Sequence, residues 1–253
     1  MDRRAEETTE GEGVVPADGF VPHMLARSVQ RRLEWLVERS GETGLEHFIP
    51  ELRRVQRLAD AGTLRHRSRH VPPTRGLQYA SRALSLAWEG ADAWDRPEQA
   101  YELVQTVRTA AGWAAWTEFY REDAWTRDFV HRFAGGTVVG PDAPWKDSRL
   151  ILDVFVYGPS IFYPPHAHPA EEAYLILGGE AEFQTGAHAP FRPVPPGETR
   201  YHRSELPHAI RIGSEPVLGV VMYRGDLAGP LWHRPDMEDP VQPKEYPGLV
   251  RPE

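Results

Sequence analysis

Apolar residues recur every three or four positions through the first half of the chain. The first stripe runs through Leu25, Val29, Leu33 and Val37 and stops at Ser40-Gly41. This spacing is typical of an amphipathic helix, and glycine is a common residue at a helix end. The same period predicts three further helices, in segments 45–62, 77–90 and 95–112.

Residues that favour helix ends lie where these stripes begin and stop. Pro50 and Pro97 fall in or near a first turn, and Asp95 is a candidate N-cap. Gly62 and Gly112 are candidate stops. A short aromatic helix is predicted to follow through Trp116, Phe119 and Tyr120.

Near residue 140 the pattern changes to short apolar runs separated by Gly and Pro. The run RLILDVFVYG (149–158) is rich in β-branched residues, and EAYLILGG, HAIRIG and PVLGVVMYRG follow it. Such spacing is typical of a β-sandwich or barrel. We therefore predict an α+β protein with the following parts: a disordered N-terminus (1–20), a helical region (21–140), a single β-barrel (141–235) and a Pro-rich tail (236–253).

Composition limits the classes of function. The 253 residues carry a formal net charge of −8 and no cysteine, which excludes disulfides and thiolate chemistry. The one basic cluster, RHRSRH (65–70), is short, so we expect no nucleic-acid partner. No apolar run is long enough to span a membrane and no secretory signal is visible, so the expected location is cytoplasmic. The oligomeric state is open, and a homodimer is compatible with the sequence.

Titratable groups crowd the start of one apolar run, YPPHAHPAEEAYLILGG (163–179). His166, His168, Glu172 and Tyr174 share parity, and residues two apart in a strand point to the same face. Glu171 then points the other way. Imidazole and carboxylate groups bind borderline divalent metals, so we predict a site for Zn, Fe, Mn or Ni.

Such a metal needs a further ligand from elsewhere in the chain. His208, in LPHAIRIG, opens another predicted strand that one hairpin would bring alongside the first. His202 shares parity with His208 and is the alternative fourth ligand, or else a supporting or surface group.

At these residues the chain resembles the cupin superfamily. GPSIFYPPHAHPAEEAYLILGG is similar to the first cupin motif, a glycine followed by H-x-H-x(3)-E-x(6)-G. PPGETRYHRSELPHA is similar to the second motif, but its spacing is stretched and the usual asparagine is missing. The pattern Y-P-x-H-x-H-x-A-E-E-x-Y resembles, more narrowly, the cupin-type dimethylsulfoniopropionate (DMSP) lyases, whose barrel follows a helical region.

This resemblance implies an activity and a set of site residues. It implies β-elimination of DMSP to dimethyl sulfide and acrylate, with Tyr174 as the catalytic tyrosine and Tyr163 as a second active-site tyrosine. Its implied metal ligands are His166, His168, Glu172 and His208. A sulfonium also needs aromatic faces, for which the candidates are Trp113, Trp116, Tyr120 and Tyr223.

Two other functions stay open at this point. One is another metal-dependent cupin enzyme, a dioxygenase or isomerase that acts on a small carboxylate. The other is a non-catalytic protein that binds a small molecule. A tyrosine two residues after the ligand glutamate favours the lyase, because many cupins have an ordinary apolar residue there.

Overall fold

The computed structural model describes residues 19–41, 43–64, 66, 74–117, 120, 122, 126–186, 188–229, 231–233 and 244–245. The predicted disordered N-terminus lies outside these residues except for positions 19 and 20. The basic cluster 65–70 lies outside them except for His66. The predicted Pro-rich tail lies outside them except for positions 244 and 245.

Four α-helices form the first half of the described chain. They are α1 (Phe20–Ser40), α2 (Ile49–Asp60), α3 (Ala80–Gly90) and α4 (Pro97–Ala111). Gly41 caps α1 in a left-handed conformation, as its position after the apolar stripe predicted. Pro50 and Pro97 both lie in a first turn, where a missing N–H costs nothing.

Two local predictions are wrong. Asp95 does not cap α4, because Arg96 holds the N-cap position without a side-chain bond and Asp95 instead accepts a bond from Arg39 at 2.5 Å. The predicted aromatic helix is a strand at Ala115–Thr117. There Trp116 pairs with Gly136 in a β-ladder, so the pairing of strands overrides the local helical pattern. Phe119 lies outside the described residues.

Thirteen strands follow the helices in the described part of the chain. They are β1 (Ala115–Thr117), β2 (Phe133–Gly140), β3 (Trp145–Lys146), β4 (Leu150–Tyr157), β5 (Phe162–Ala167), β6 (Ala170–Gly178), β7 (Ala181–Thr185), β8 (Arg192–Val194), β9 (Thr199–His202), β10 (His208–Ile212), β11 (Val217–Gly225), β12 (Trp232–His233) and β13 (Lys244–Glu245). One sheet has the order β1-β2-β4-β11-β6-β9, with β3 beside β2, and the other has the order β13-β12-β5-β10-β7-β8.

The first sheet is buried on both faces. In β4, Leu152 and Val154 belong to the apolar cluster that includes the helices, whereas Phe155 and Tyr157 belong to the cluster inside the barrel. Because side chains alternate along a strand, one face covers the helices and the other lines the barrel. The continuous apolar run 149–158 follows from this double burial.

Helix α3 packs directly on the backbone of β6. A Cβ atom on Gly178 would lie 2.4 Å from the Ala87 backbone nitrogen, so only glycine fits between this helix and this strand. The next residue, Gly179, turns the chain into β7 with φ of 81°, a left-handed conformation that glycine adopts easily.

The predicted architecture, a helical region followed by a single cupin β-barrel of the α+β class, is confirmed. In the part of the chain that the structure describes, no helix has both the length and the apolar character needed to cross a bilayer.

Candidate metal centre and cavity

Three predicted histidines meet where β5 and β10 pair. His166 lies on β5, and His168 is the first residue after that strand. His208 on β10 pairs directly with His166. The ligand atoms of these three side chains lie within 4.8 Å of one another. The hairpin pairing that the sequence predicted for His208 therefore brings the three imidazoles together.

Each of the three rings is held by its Nδ1 atom. His166 Nδ1 lies 2.9 Å from the Pro164 carbonyl, and His208 Nδ1 lies 2.8 Å from the Leu206 carbonyl. His168 Nδ1 lies 3.0 Å from the carbonyl of Ala170. A carbonyl only accepts, so each Nδ1 carries the proton and each Nε2 keeps its lone pair. This is the orientation that holds a histidine ready for a metal.

Glu172 comes to the same point from the other sheet. Its side chain is almost fully buried, and its Oε2 atom lies 3.0 Å from His208 Nε2 and 3.5 Å from His168 Nε2. Both Nε2 atoms are buried and have no hydrogen-bond partner among the described residues. Two lone pairs thus face a carboxylate oxygen, which is unfavourable unless a cation lies between them. The donor set therefore fits a divalent metal.

His202 shares this cluster but has partners on both nitrogens. It stands opposite Glu172 in the β6–β9 ladder, and its Nδ1 lies 3.1 Å from Glu172 Oε2. Its Nε2 lies 3.3 Å from the Thr185 hydroxyl. The ligand atoms of Glu172, His202 and His208 also lie within 4.8 Å of one another. Because both ring nitrogens of His202 are engaged, its arrangement suits a residue that orients Glu172 rather than a ligand.

The charges in the cluster are strongly coupled. Burial alone would raise the pKa of the Glu172 carboxyl, but the neighbouring imidazoles of His208, His168 and His202 lower it overall. Burial lowers the pKa of His166 well below its usual value, and the nearby His208 lowers it further. Burial also lowers the pKa of His202, to about 3. Burial disfavours the charged form of His168, but its close contact with Glu172 and the charge of that carboxylate raise its pKa overall. The cluster thus holds an ionised carboxylate among imidazoles, which are the groups that bind a divalent metal.

Glu171 points out of the barrel, as its opposite parity predicted. Its carboxylate accepts bonds from Arg224 at 2.6 Å and from the Tyr201 hydroxyl at 3.0 Å, and it lies 2.8 Å from His47. His47 lies in a short 3₁₀ turn of the helical region. Glu171 therefore joins the helices to the outer face of the barrel.

Of the proposed ligands, His166, His168 and Glu172 line a cavity of about 210 Å³ inside the barrel. Its aromatic wall consists of Tyr120, Phe133, Phe155, Tyr157, Tyr163 and Tyr223. Of the four aromatic candidates from the sequence, Tyr120 and Tyr223 line this cavity. Trp113 and Trp116 instead pack against the apolar cluster that includes the helices. The size suits a ligand smaller than a typical drug molecule.

The two predicted active-site tyrosines lie in different places. Tyr163 lines the cavity, stacks on the His166 ring at 4.0 Å between centroids and shares a hydrogen bond with the Tyr120 hydroxyl. Tyr174 lies deeper, between Phe155 and Phe183, and is not among the described residues that line the cavity. Its hydroxyl lies 3.4 Å from that of Tyr157, which does line the cavity. Burial and the charge of Glu172 raise the pKa of Tyr174 well above its usual value.

Tyr223 stands closer to the predicted metal ligands than the sequence suggested. It pairs with Glu172 in the β11–β6 ladder, its hydroxyl donates to the Glu172 carboxylate, and its ring lies 5.7 Å from that of His168. The sequence signal for this position was only its parity within a β-strand, which is shared by many core tyrosines.

Asp153 is a cavity residue that sequence reasoning missed. It is 3% exposed and lies on β4 with its side chain on the cavity face. Burial raises the pKa of its carboxyl to about 7; the Thr137 hydroxyl, which donates to it, opposes this shift, and the charge of Glu172 adds to it. The available signal was an aspartate inside the apolar run LILDVFVY, where an acidic side chain is rarely buried without a reason.

The chain is similar in sequence to DMSP lyases. The sequence profile of the dimethylsulfoniopropionate lyase family matches residues 47–219. The DMSP lyase DddQ of Ruegeria pomeroyi is 38% identical over 134 residues, which are 53% of this chain and 66% of that protein. The putative DMSP lyase DddL of Cereibacter sphaeroides is 28% identical over 137 residues, which are 53% of this chain and 52% of that protein. The matches thus span about half to two thirds of the length of these curated relatives.

Solved structures agree in fold. A chain from the crystal structures of the DMSP lyases RdDddP and RnDddQII superposes with a TM-score of 0.56 and 24% identity, covering 84% of this chain and 97% of that one. The crystal structure of DddQ from Ruegeria pomeroyi gives a TM-score of 0.51 and 25% identity, covering 83% and 98%. Because the family profile matches more than half of the chain, this protein belongs to the dimethylsulfoniopropionate lyase family.

Proposed function

We propose that this protein is a metal-dependent lyase that cleaves DMSP to dimethyl sulfide and acrylate. The observation that carries the proposal is the meeting of three Nδ1-tethered histidines with buried Glu172 at one end of an aromatic cavity. Membership in the DMSP lyase family supports the substrate. A cavity of about 210 Å³ supports a small-molecule substrate. A cytoplasmic location and a homodimer stay predictions from the sequence.

The proposed ligands are His166, His168, His208 and Glu172, for Zn, Fe, Mn or Ni. When bound, such a metal would accept the substrate carboxylate, withdraw electron density from the α-carbon and lower the pKa of nearby hydroxyl groups. His202 would orient Glu172 through its 3.1 Å contact. The aromatic wall would exclude water and present ring faces to the sulfonium.

The reaction needs a base for the proton on the α-carbon. As the proton leaves, a double bond forms between the α- and β-carbons. The β-carbon–sulfur bond breaks as this double bond forms, with its electrons going to sulfur. We propose the Tyr174 hydroxyl as this base. Its rival is Tyr223, because Tyr223 lines the cavity and contacts Glu172 directly.

The test is to load the purified protein with each divalent metal, add DMSP and measure dimethyl sulfide in the headspace together with acrylate in solution. We expect equal amounts of both products, lost on chelation and restored on adding metal back. His208→Ala should lose activity and bound metal together, whereas His188→Ala, which removes a histidine from an exposed turn outside the cluster, should keep both. A protein that retains stoichiometric metal but releases no dimethyl sulfide would contradict the lyase assignment and leave a metal-binding cupin of another activity.

A further inference from the structure

The far wall of the cavity holds an acidic group that the proposed reaction does not use. Of the described residues that line the cavity, three are acidic: Glu172, Asp153 and Asp226. Glu172 belongs to the proposed metal centre, and Asp226 is exposed at the mouth. No arginine or lysine is among these lining residues. The charge of the buried Asp153 carboxylate is thus balanced by no arginine or lysine among the described lining residues.

The sheet register fixes where this carboxylate lies. Asp153 pairs with Thr137 on one side and with Val221 on the other, and Val221 pairs in turn with Tyr174. The ladder of Glu172 runs instead through Tyr223 to Ile151. Asp153 and Glu172 are therefore two strands and two residues apart, about 12 Å between Cα atoms at ~4.8 Å per strand and ~3.4 Å per residue. Both side chains project into the same cavity, so a short ligand can reach from one to the other.

The hydrogen bonds of Asp153 leave one oxygen unengaged. The Thr137 hydroxyl donates to the carboxylate, whereas Oδ1 is buried and has no partner among the described residues. A group that relays protons would need a hydrogen-bonded path towards the metal centre, but Thr137 lies on the opposite side of Asp153 from Glu172. An unengaged carboxylate oxygen suits a cation that cannot donate a hydrogen bond, since such a cation is bound by charge alone.

A sulfonium is a cation of this kind. Its three carbon substituents give it no N–H or O–H group, so neighbouring charges and aromatic faces are what can hold it. Phe155 and Tyr157 follow Asp153 on the cavity face of β4 and offer such faces beside the carboxylate. We propose that Asp153 is the specificity-determining residue of the cavity, whose carboxylate pairs with the positively charged end of the substrate while the carboxylate end binds at the histidines. This inference rests on the proposed function.

The test compares cationic and neutral ligands on the metal-loaded protein by calorimetry. β-Alanine betaine carries a quaternary ammonium, which is a poor leaving group, and methylthiopropionate has the same carboxylate with a neutral sulfur. We expect the wild type to prefer the betaine. Asp153→Asn should weaken betaine binding on the order of 10- to 100-fold, the range expected when a buried charge loses its partner, and change methylthiopropionate binding less than about 2-fold. The Michaelis constant for DMSP should rise by a similar factor.

Two variants and one control keep the result interpretable. Asp153→Ser also removes the charge, so binding can be measured on this variant if Asp153→Asn does not fold. Asp153→Glu keeps the charge and should keep the preference for the cationic ligand. Glu182→Gln removes one negative charge from a partly exposed strand position outside the cavity and should change neither affinity.

Equal losses for both ligands, or unchanged betaine binding in a folded neutral variant, would overturn the assignment of Asp153. A wild type that binds the betaine with this preference but releases no dimethyl sulfide from DMSP would instead refute the proposed reaction and leave the cation site standing.

Discussion

Replacing Asp153 by Asn should stabilise the metal-free protein at neutral and alkaline pH. The buried carboxylate has a folded-state pKa of about 7, against an ordinary value of 3.8. A carboxyl whose pKa is raised on folding binds its proton more tightly in the native state. Its ionisation therefore costs no stability below about pH 4, and costs progressively more as the pH rises towards 7.

The magnitude follows from the size of this shift. At 1.36 kcal/mol per pKa unit, a rise from 3.8 to about 7 corresponds to about 4 kcal/mol lost when Asp153 is fully ionised. Roughly 2–3 kcal/mol of this should appear between pH 5 and pH 8. The depressed pKa values of His166 and His202 act in the opposite sense, since those groups add stability as the pH rises through their unfolded values. The difference between wild type and Asp153→Asn cancels these shared contributions.

The assay is urea unfolding of both proteins without metal, at several pH values from 5 to 8. We expect the stability of Asp153→Asn relative to wild type to increase with pH by about 2–3 kcal/mol. The matched control is Asp147→Asn, since the buried Asp147 carboxylate accepts bonds from Arg54 at 2.6 and 2.7 Å and its pKa is lowered. That variant should be destabilised by about 3 kcal/mol. A pH-independent difference between wild type and Asp153→Asn would show that Asp153 is ionised without cost, and the reasoning from its burial would be wrong.

Three further outcomes are expected. Glu172→Gln should lose most of its bound metal in elemental analysis while Glu171→Gln keeps it; the reverse would mean that the strand is shifted by one residue. Tyr174→Phe should fold and keep its metal but lose on the order of 10²–10⁴ in turnover, whereas a near wild-type rate, with Tyr223→Phe inactive, would assign the base to Tyr223. Gly178→Ala should cost about 1–3 kcal/mol in urea unfolding because the new Cβ would lie 2.4 Å from the α3 backbone; an unchanged midpoint would show that α3 can move away.

The elements that were predictable are those whose signals are local. The stripe from Leu25 to Val37 has one period and one glycine stop, and the helix ends where that stop lies. The helix predicted around Trp116 was wrong because the secondary structure there is decided by pairing with Gly136, some twenty residues later. A local aromatic pattern carries no information about such a partner. The N-cap role predicted for Asp95 was wrong for a related reason, since Asp95 forms an ion pair with Arg39 on α1, which is distant in sequence.

The candidate site was predictable to the extent that strand parity defines it. Parity placed His166 and Glu172 on the inner face and Glu171 on the outer one, and the structure has them there. Parity could not rank Tyr174 against Tyr223, because depth within the cavity depends on how the two sheets curve towards each other. It also could not decide that His202 uses both ring nitrogens, which depends on Thr185 on another strand.

Asp153 shows why an apolar strand that is buried on both faces can hide a functional residue. In a strand with one solvent-exposed face, polar and apolar residues are expected to alternate. An acidic residue among apolar ones then gives no indication of function. In β4 the neighbours Leu152 and Val154 pack towards the helices, so the face that carries Asp153 is the interior of the barrel. A carboxylate there lowers stability, and exchange for a neutral side chain would relieve that cost. Because this carboxylate lowers the stability of the fold, its role is not in folding. The buried Oδ1 atom, which has no partner among the described residues, indicates that its role is to bind a ligand.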